Sequence, residues 1–342
     1  MWYIRLIETG RVPDWAVRAA IRMGQAHSRR AQARQNLDVL SEEARALRRK
    51  LASGPISVHT QDANRQHYEV PTAFFQTVLG PWLKYSCCYW PQGVETLEQA
   101  EVAMLELTCQ RAQIADGMAV LDLGCGWGAL ALWIATHYPR ARVLAVSNSR
   151  TQRAYIEAQC VARGLANLEV LTADVADLQL DRQFDRVVSV EMFEHLKNYA
   201  AILARIATLL KPDGKLLVHV FSHRELAYEF DAADTGNWMA QTFFAGGTMP
   251  SDSLLLHYQH DLEVEDHWQL GGQHYARTLR AWLNRLDAQR DRVRELMAEA
   301  YGADQATRWL ANWRLFFLAC EETWAQCGGR EYSISHYLSA RR

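Results

Sequence analysis

Net charge, paired cysteines and long apolar runs are all scarce in this sequence, and each scarcity removes a class of function. The formal net charge is −2 at pH 7, so the chain offers no broad basic field to a nucleic-acid backbone, although a local patch stays open. No apolar run is long enough to span a bilayer, and the first residues hold too short an apolar stretch for a secretory signal. We therefore expect a chain that does not cross a membrane.

The seven cysteines form no Cys-x-x-Cys pair and lie mostly among apolar neighbours. An odd number without paired spacing predicts reduced thiols in a reducing compartment, and the cytoplasm is the expected location. With 342 residues, of which 49% are hydrophobic, the chain can bury a large core in one elaborated domain or two. Twelve tryptophans are many for this length, and they indicate either core packing or a roomy aromatic site.

A glycine-rich turn stands at the centre of the sequence. The apolar run 119–123 predicts a buried parallel strand, and the periodic apolar residues after Gly128 predict the helix that covers it. The turn between them carries Gly124, Gly126 and Gly128, with Asp122 just before it. Alternate glycines allow positive φ and let a ligand approach the helix N-terminus. The turn favours a cofactor site over a merely structural role.

The spacing of this turn differs from a dinucleotide fingerprint. It is G-x-G-x-G rather than G-x-G-x-x-G. The acidic residue that binds a ribose about 20 residues further on is also missing, because the second predicted strand ends in Ser147, Asn148 and Ser149. Both departures argue against a nicotinamide or flavin dinucleotide.

Strands and helices alternate through the middle of the chain. The predicted strands are 119–123, 142–147, 168–172, 185–190 and 215–221, and the predicted helices between them are 127–138, 149–163 and 197–210. This alternation predicts an α/β fold with a doubly wound parallel sheet and helices on both faces. A last alternating segment, 331–338, predicts an antiparallel strand that completes the sheet edge.

The domain prediction has three parts. Residues 1–65 form a helical section, in which Pro13 and Asp14 start one helix and a second begins near Ser41. Its arginine-rich faces suit either solvent or an anionic membrane surface. The core comprises residues 66–222 and 329–342, and residues 223–328 form a mostly helical cap inserted on it. Five large residues of the cap region are candidates for a substrate wall: Trp238, Phe244, Met249, Phe316 and Phe317.

Ligands of such sheets lie beyond the carboxyl ends of the strands, which here carry the glycine turn, Ser147-Asn148, Asp174 and Glu191. If a helix begins at Glu191, then Glu191, Glu194 and His195 share one face at i, i+3 and i+4. Two carboxylates and an imidazole would then meet one cavity. Two other interpretations stay open. The acidic residues could merely favour a helix N-terminus, or the segment could bind a metal, although the sequence offers no second cluster of ligands.

From His67 to the C-terminus the chain resembles the cyclopropane fatty acid synthase superfamily of S-adenosylmethionine (SAM) methyltransferases, most of all the coclaurine N-methyltransferase type. The matching motifs are HYEVPTAFF, LKYSCCYW, TLEQAEVAMLELTCQRAQI, VLDLGCGWG, VVSVEMFEHLKNY, FFAGGTMPS and HWQLGGQHYARTLRAW. The resemblance spans about four-fifths of the chain, and the motifs keep their order throughout. The resemblance implies a class I SAM-methyltransferase fold, which is Rossmann-like, with a helical cap.

The resemblance also implies the residues that hold the cofactor. Those expected around SAM are Tyr85, Ser86, Asp122, Gly124, Gly126, Gly128, Asn148, Gln152 and Asp174. Cyclopropane synthases hold a bicarbonate base, and the residues that match its site are Cys87, Glu194, His219, Tyr275 and the backbone of Val220. N-methylating relatives keep much of this set, so a bound bicarbonate stays open.

Two chemistries are therefore candidates. Glu191 stands where cyclopropane synthases usually have glycine and the coclaurine type has glutamate, which favours methylation of a small tetrahydroisoquinoline-like amine; Trp127 favours the lipid enzymes. Because a protonated amine has no lone pair, a proton acceptor is needed. Our hypothesis is that His195 with Glu194 accepts the proton while Glu191 holds the amine.

The alternative reaction is cyclopropanation or C-methylation of an unsaturated fatty-acyl chain. A SAM-binding or nucleic-acid-associated protein without catalysis is disfavoured, because the Glu191, Glu194 and His195 set is complete and the Asp/Asn-Pro-Pro-Tyr/Phe motif of DNA methylases is absent. The number of methyl transfers and the oligomeric state, a homodimer included, stay open.

Overall fold

The computed structural model describes residues 2–57, 70–231, 233 and 237–342. The predicted boundary near residue 65 and the first residues of the HYEVPTAFF motif lie outside this part. The helices of the described part are α1 Trp2–Glu8, α2 Asp14–Gln32, α3 Leu37–Lys50, α4 Thr72–Val78, α5 Leu97–Arg111, α6 Ala129–His137, α7 Arg150–Arg163, α8 Tyr199–Leu209, α9 Trp238–Thr242, α10 Gln273–Ala288, α11 Arg290–Tyr301 and α12 Ala306–Trp324.

The described strands form one large sheet and a short ribbon. They are β1 Ala119–Leu123, β2 Arg142–Ser147, β3 Leu168–Thr172, β4 Phe184–Val190, β5 Leu210–His223, β6 Tyr228–Glu229, β7 Thr248–Met249, β8 Leu262–Gly271 and β9 Tyr332–Arg341. The large sheet has the order β3-β2-β1-β4-β5-β9-β8, and β6 pairs with β7. Strands β1 to β5 pair in parallel, which confirms the predicted α/β fold.

The edge of the sheet differs from the prediction. The last strand, β9, is antiparallel to β5 as expected, but β8 pairs with its other side and forms the edge. β8 lies inside the segment predicted as helical cap. Its sequence, LEVEDHWQLG, is half exposed and rich in charge, so it lacks the apolar signal on which the strand prediction relied.

The N-terminal helices begin as local capping chemistry dictates. α2 starts at Asp14 behind Pro13, as predicted. α3 starts at Leu37 rather than near Ser41, because the Asn36 side chain accepts a hydrogen bond from the Asp38 N–H at 2.9 Å. In the described part, no helix combines the length and apolar character that a bilayer crossing requires.

Candidate active site

The glycine turn forms an open cradle at the N-terminus of α6. Gly124, Gly126 and Gly128 have φ values of 84°, 54° and 79°, which L side chains rarely adopt. A Cβ at Gly124 would lie 2.6 Å from Met192, and one at Gly128 would lie 2.6 Å from Ile156. A Cβ at Gly126 would meet nothing within 4 Å. Gly126 therefore leaves its space to a ligand, whereas Gly124 and Gly128 allow close packing.

A large cavity of about 790 Å³ opens beside this turn, and Asp122, Tyr85 and Ser86 contribute to its wall. Burial raises the pKa of Asp122 to about 7. Its Oδ2 is buried and has no hydrogen-bond partner in the described structure. An orphaned carboxylate oxygen of this kind suits a cationic ligand group, because a buried acceptor without a partner is costly.

A second cavity of about 110 Å³ adjoins Gly124 and Gly126 and is lined by the other predicted cofactor residues, Asn148, Gln152 and Asp174. The Ser147 hydroxyl donates to the side-chain oxygen Oε1 of Gln152 at 2.6 Å. Asp174 Oδ1 accepts the Ala176 N–H at 2.8 Å. With the cradle and the orphaned Asp122 oxygen, these residues fit a SAM molecule laid along the ends of β1, β2 and β3.

Four of the five residues predicted for a substrate wall line the large cavity, and their contact with a substrate stays a prediction. The large cavity is lined by Trp238, Phe244, Met249 and Phe316. Phe317 is an error of the prediction, because it is fully buried and does not line the cavity. Its ring packs into the core at 5.9 Å from both Trp282 and Trp313, since adjacent helical residues point in different directions.

Glu191 is the polar centre of the cavity. Its Oε1 accepts the Cys87 backbone N–H at 2.8 Å and lies 3.3 Å from His219 Nε2. Its Oε2 accepts the Tyr275 hydroxyl at 2.6 Å. Burial raises the pKa of Glu191, and Lys84 and these hydrogen bonds oppose that rise. The carboxylate is thus held in one orientation by groups from three separate parts of the chain.

The backbone at Glu191 is strained. Its φ is +48°, one of four positive values at described non-glycine residues, and such a conformation costs energy for a residue with a Cβ. The residue directly follows β4, and its N–H donates to the His219 carbonyl at 2.8 Å. The chain turns sharply at this point and delivers the carboxylate into the cavity.

The condition that a helix begins at Glu191 is not met, because a 3₁₀ turn, Phe193–His195, follows instead. Glu191 and His195 both line the large cavity, but Glu194 lines neither cavity. Its Oε1 accepts the Phe221 N–H at 3.1 Å, and burial raises its pKa well above the ordinary value, as does the Glu191 charge. Two carboxylates and an imidazole therefore do not face one cavity.

Cys87 contributes its backbone rather than its thiol. The N–H contacts Glu191, while Sγ lies 3.3 Å from the Cys88 carbonyl oxygen. Burial raises the pKa of the Cys87 thiol well above its usual value, and Glu191 adds to this rise. The sulfur therefore stays protonated and has no nucleophilic role here.

Two residues behind His219 escaped the sequence analysis. The His336 ring on β9 packs on the His219 ring on β5 with centroids 4.5 Å apart. Arg111, at the end of α5, lies with Nη1 2.9 Å from His336 Nδ1. Burial lowers the pKa of both histidines, and the Arg111 charge lowers each further. No motif signals this cluster, since it forms only when β5 and β9 pair.

Lys84 was also missed. Its buried Nζ donates to Ser86 Oγ at 2.5 Å and to the Cys87 carbonyl at 2.7 Å. The buried carboxylate of Glu101 accepts the N–H groups of Trp82 and Lys84 and so fixes this loop. The LKYSCCYW motif marks the segment, but the sequence gives no sign that its lysine is the buried cation near Glu191.

The bicarbonate that the resemblance left open does not fit as a separate ligand in this arrangement. The Cys87 N–H, the Tyr275 hydroxyl and His219 Nε2, which would hold it, already contact the Glu191 carboxylate. A second anion there would also add like charge at short range.

Comparison with protein families gives a match to the family described as mycolic acid cyclopropane synthetase, over residues 57–327. A coclaurine N-methyltransferase from Thalictrum flavum subsp. glaucum is 37% identical over 343 residues, covering 99% of this chain and 95% of the relative. A cyclopropane-fatty-acyl-phospholipid synthase from Escherichia coli K12 is 35% identical over 65% of this chain and 55% of its own.

Among solved structures, coclaurine N-methyltransferase bound to N-methylheliamine and S-adenosylhomocysteine is 36% identical to this chain. It aligns with a TM-score of 0.94 and covers 99% of both chains. The likeness therefore extends beyond the α/β core to the N-terminal helices and to residues 223–328, the segment predicted as a cap.

Proposed function

Because the chain belongs to the mycolic acid cyclopropane synthetase family and is a SAM-dependent methyltransferase, we propose that it methylates the nitrogen of a small cyclic amine. The acceptor is of the tetrahydroisoquinoline type, in keeping with the names of its full-length relatives. The observation that carries the proposal is the Glu191 carboxylate, buried and fixed by Cys87, His219 and Tyr275, at the wall of an aromatic cavity.

Aromatic walls and the fixed Glu191 carboxylate suit an aromatic amine that enters as a cation. Phe244 and Phe316 give the ring apolar contacts, and the Glu191 carboxylate attracts the ammonium group. The same attraction raises the pKa of the amine. Binding alone therefore leaves the nitrogen protonated, and the site must also remove a proton.

His195 is the group placed to take that proton. It lines the large cavity beside Glu191, and its ring stands at 5.0 Å and nearly at right angles to the Phe244 ring. Glu191, rather than the predicted Glu194, is the carboxylate that shares the cavity with it. General-base assistance of this kind is typically worth ~10²–10⁴-fold in rate.

When bound, SAM supplies an electrophilic methyl group on a sulfonium centre. Asp122 and Gly126 would hold the cofactor's amino-acid end, and Asn148, Gln152 and Asp174 would hold its nucleoside end. Glu191 would orient the amine toward the transferable methyl group. In this reaction the Glu191 carboxylate itself supplies the negative charge between Cys87, His219 and Tyr275, so no bicarbonate is needed there.

A second candidate is transfer to the double bond of a fatty-acyl chain. The family name and the Escherichia coli relative favour it, and the apolar walls would accept an acyl chain. The fixed Glu191 carboxylate at the wall disfavours this reaction, because an acyl chain carries no cationic group to pair with a buried charge.

The two candidates separate in one assay with methyl-labelled SAM. Tetrahydroisoquinoline is offered in one tube and vesicles of unsaturated phospholipid in another, and products are weighed by mass spectrometry. A gain of one labelled methyl on the amine, with unlabelled lipid, is the expected result. Label in the acyl chain, with an unchanged amine, would overturn the proposal.

A further inference from the structure

Helix α2 turns polar side chains toward the large cavity. The lining residues recur at i, i+3, i+4 and i+7, and are Gln25, Ser28, Arg29 and Gln32. This spacing defines one helix face. The apolar contacts of α2 come from its first half, where Val17 is buried and Ile21 packs against the core, while Trp15 and Met23 are 74% and 67% exposed. The polar face in the second half of the helix is therefore not explained by apolar packing.

Docking of α2 does not require Arg29. Arg18 bonds Glu321 at 2.8 Å and Glu322 at 2.6 Å, and Arg22 bonds Glu322 at 2.6 Å. These ion pairs tie the first half of α2 to α12. The second half of the helix, with Arg29, lines the large cavity with half-buried and exposed side chains, and we call this part of the cavity its mouth.

The Arg29 guanidinium has donors to spare. Its Nη1 contacts Cys327 Sγ at 2.6 Å, and a thiol sulfur is a weak acceptor. Its Nε is buried without a hydrogen-bond partner within the described structure. No ion pair joins Arg29 to a carboxylate of the described residues, and this includes Glu43, which lines the same mouth.

Two tyrosine hydroxyls stand near this cation. The hydroxyls of Tyr228 and Tyr332 lie 3.3 Å apart, and both residues line the cavity. Burial raises the pKa of Tyr332, and the positive charge of Arg29 acts against that rise. The mouth therefore combines a guanidinium with two hydroxyls and the side-chain amides of Gln25 and Gln32. Phe230 and Trp324 line the aromatic wall beside them.

We propose that this polar mouth binds an acidic oxygen group, a phenol or a carboxylate, that the substrate carries on the side remote from its nitrogen. The inference rests on the proposed N-methylation, because Glu191 must hold the amine at the deep end. Arg29 gives a charge-assisted hydrogen bond to such an oxygen. An amine without it leaves the guanidinium poorly partnered and binds less well.

The test measures kcat/KM for three amines, a benzyl-substituted tetrahydroisoquinoline and its para-hydroxybenzyl and para-carboxybenzyl analogues. The enzymes are the wild type, Arg29→Gln, Arg29→Lys and Arg30→Gln. Arg30 is the matched control, because it is the next residue of α2 and is exposed outside the cavity. Calorimetric binding of S-adenosylhomocysteine to each variant checks that the fold is intact.

We expect the wild type to prefer one oxygen-bearing amine by on the order of tenfold to hundredfold. Arg29→Gln should abolish that preference, Arg29→Lys should keep part of it, and Arg30→Gln all of it. Whichever analogue gains identifies phenol or carboxylate as the group.

Equal rates on all three amines, or a preference that survives Arg29→Gln, would overturn the inference while N-methylation stands. Methylation of none of the amines, with S-adenosylhomocysteine still bound, would instead refute the proposed function itself. If Arg29→Gln fails to bind S-adenosylhomocysteine, the wild-type preference and the Arg29→Lys result decide.

Discussion

The two ends of the large cavity hold polar groups by opposite means. At the deep end the acceptor is Glu191, and its partners come from the strand β5, the helix α10 and the loop at Cys87. At the mouth the donor is Arg29, carried by a helix that is tied down by ion pairs between side chains. Groups fixed on the sheet and on buried backbone hold a reacting atom tightly, whereas a helix docked by ion pairs tolerates adjustment.

This contrast assigns different roles to the two ends of the cavity. The strained turn at Glu191 and its buried partners suit chemistry, in which small displacements are costly. The mouth suits choice among substrates, since its cation, Arg29, lies on α2 and has no carboxylate partner among the described residues. Changes at the deep end should therefore alter turnover and its pH dependence, and changes at α2 should alter selectivity and local stability.

The largest effect is expected from His195→Ala at the deep end. Loss of the proton acceptor should lower kcat for the amine by ~10²–10⁴-fold, with little change in the affinity for S-adenosylhomocysteine. Single-turnover kinetics with methyl-labelled SAM measures it. His260→Ala is a matched control, because that side chain is 95% exposed. Near-full turnover of His195→Ala across the pH range would remove this role.

A smaller effect, on pH dependence, is expected from Tyr275→Phe. The pKa of Glu191 is raised by burial, and the Tyr275 hydroxyl lowers it by stabilising the charged form. Removing the hydroxyl should raise that pKa further, so the acid limb of kcat/KM should move to higher pH. A roughly tenfold loss near that limb is expected from one lost charge-assisted hydrogen bond. A pH profile of unchanged shape would contradict the assignment.

The Arg111, His336 and His219 cluster gives a third test of the deep end. His336→Gln keeps an acceptor for Arg111 but removes the ring that packs on His219. If His336 is a positioning residue, kcat/KM should fall a few-fold and the acid limb should shift, while KM for SAM stays constant.

Tyr337→Phe is its matched control on the same strand. The Tyr337 hydroxyl donates to the Asp252 carbonyl oxygen, remote from Glu191. It should cost about 1 kcal/mol of stability, as expected for one hydrogen bond, and leave the pH profile unchanged. Identical pH profiles for both variants would reduce His336 to a packing role.

The sequence predicted the parts of the site that follow local rules. The rule that ligands lie beyond the carboxyl ends of parallel strands singled out the glycine turn, Asn148, Asp174 and Glu191, and these residues do line the two cavities. Two side chains point elsewhere than expected. Phe316 lines the cavity whereas its neighbour Phe317 packs into the core, and Glu194 lies in a 3₁₀ turn rather than in the α-helix that the i, i+3, i+4 spacing requires.

The remaining residues depend on long-range pairing. His336 and Arg111 meet His219 only after β9 pairs with β5, more than a hundred residues apart in sequence. Arg29 reaches the mouth only because two arginines of α2 meet Glu321 and Glu322 on α12. The arginine-rich face was open to a solvent or membrane interpretation, and no local pattern shows which arginines have carboxylate partners on another helix.

The smallest effect is expected at the mouth, from Glu322→Gln. Although burial alone would raise it, hydrogen bonds from Arg22 and Arg18 hold the pKa of Glu322 below its ordinary value. A lowered carboxyl pKa contributes stability above the unfolded value of about 4.3, and this contribution is lost as the pH falls through the folded value. The variant should lose on the order of 1 kcal/mol at pH 7.

Thermal unfolding of the wild type and Glu322→Gln from pH 7 to pH 3 tests this pair. The gap in Tm should close as the pH falls below about 4, because the wild type then loses the same charge. Hydrogen exchange should also rise in α2 and not in β4 or β5, since only the docking of the helix is weakened. An equal loss of exchange protection in α2, β4 and β5 would contradict the difference between the two ends, because α2 would then be coupled to the sheet as firmly as Glu191 is.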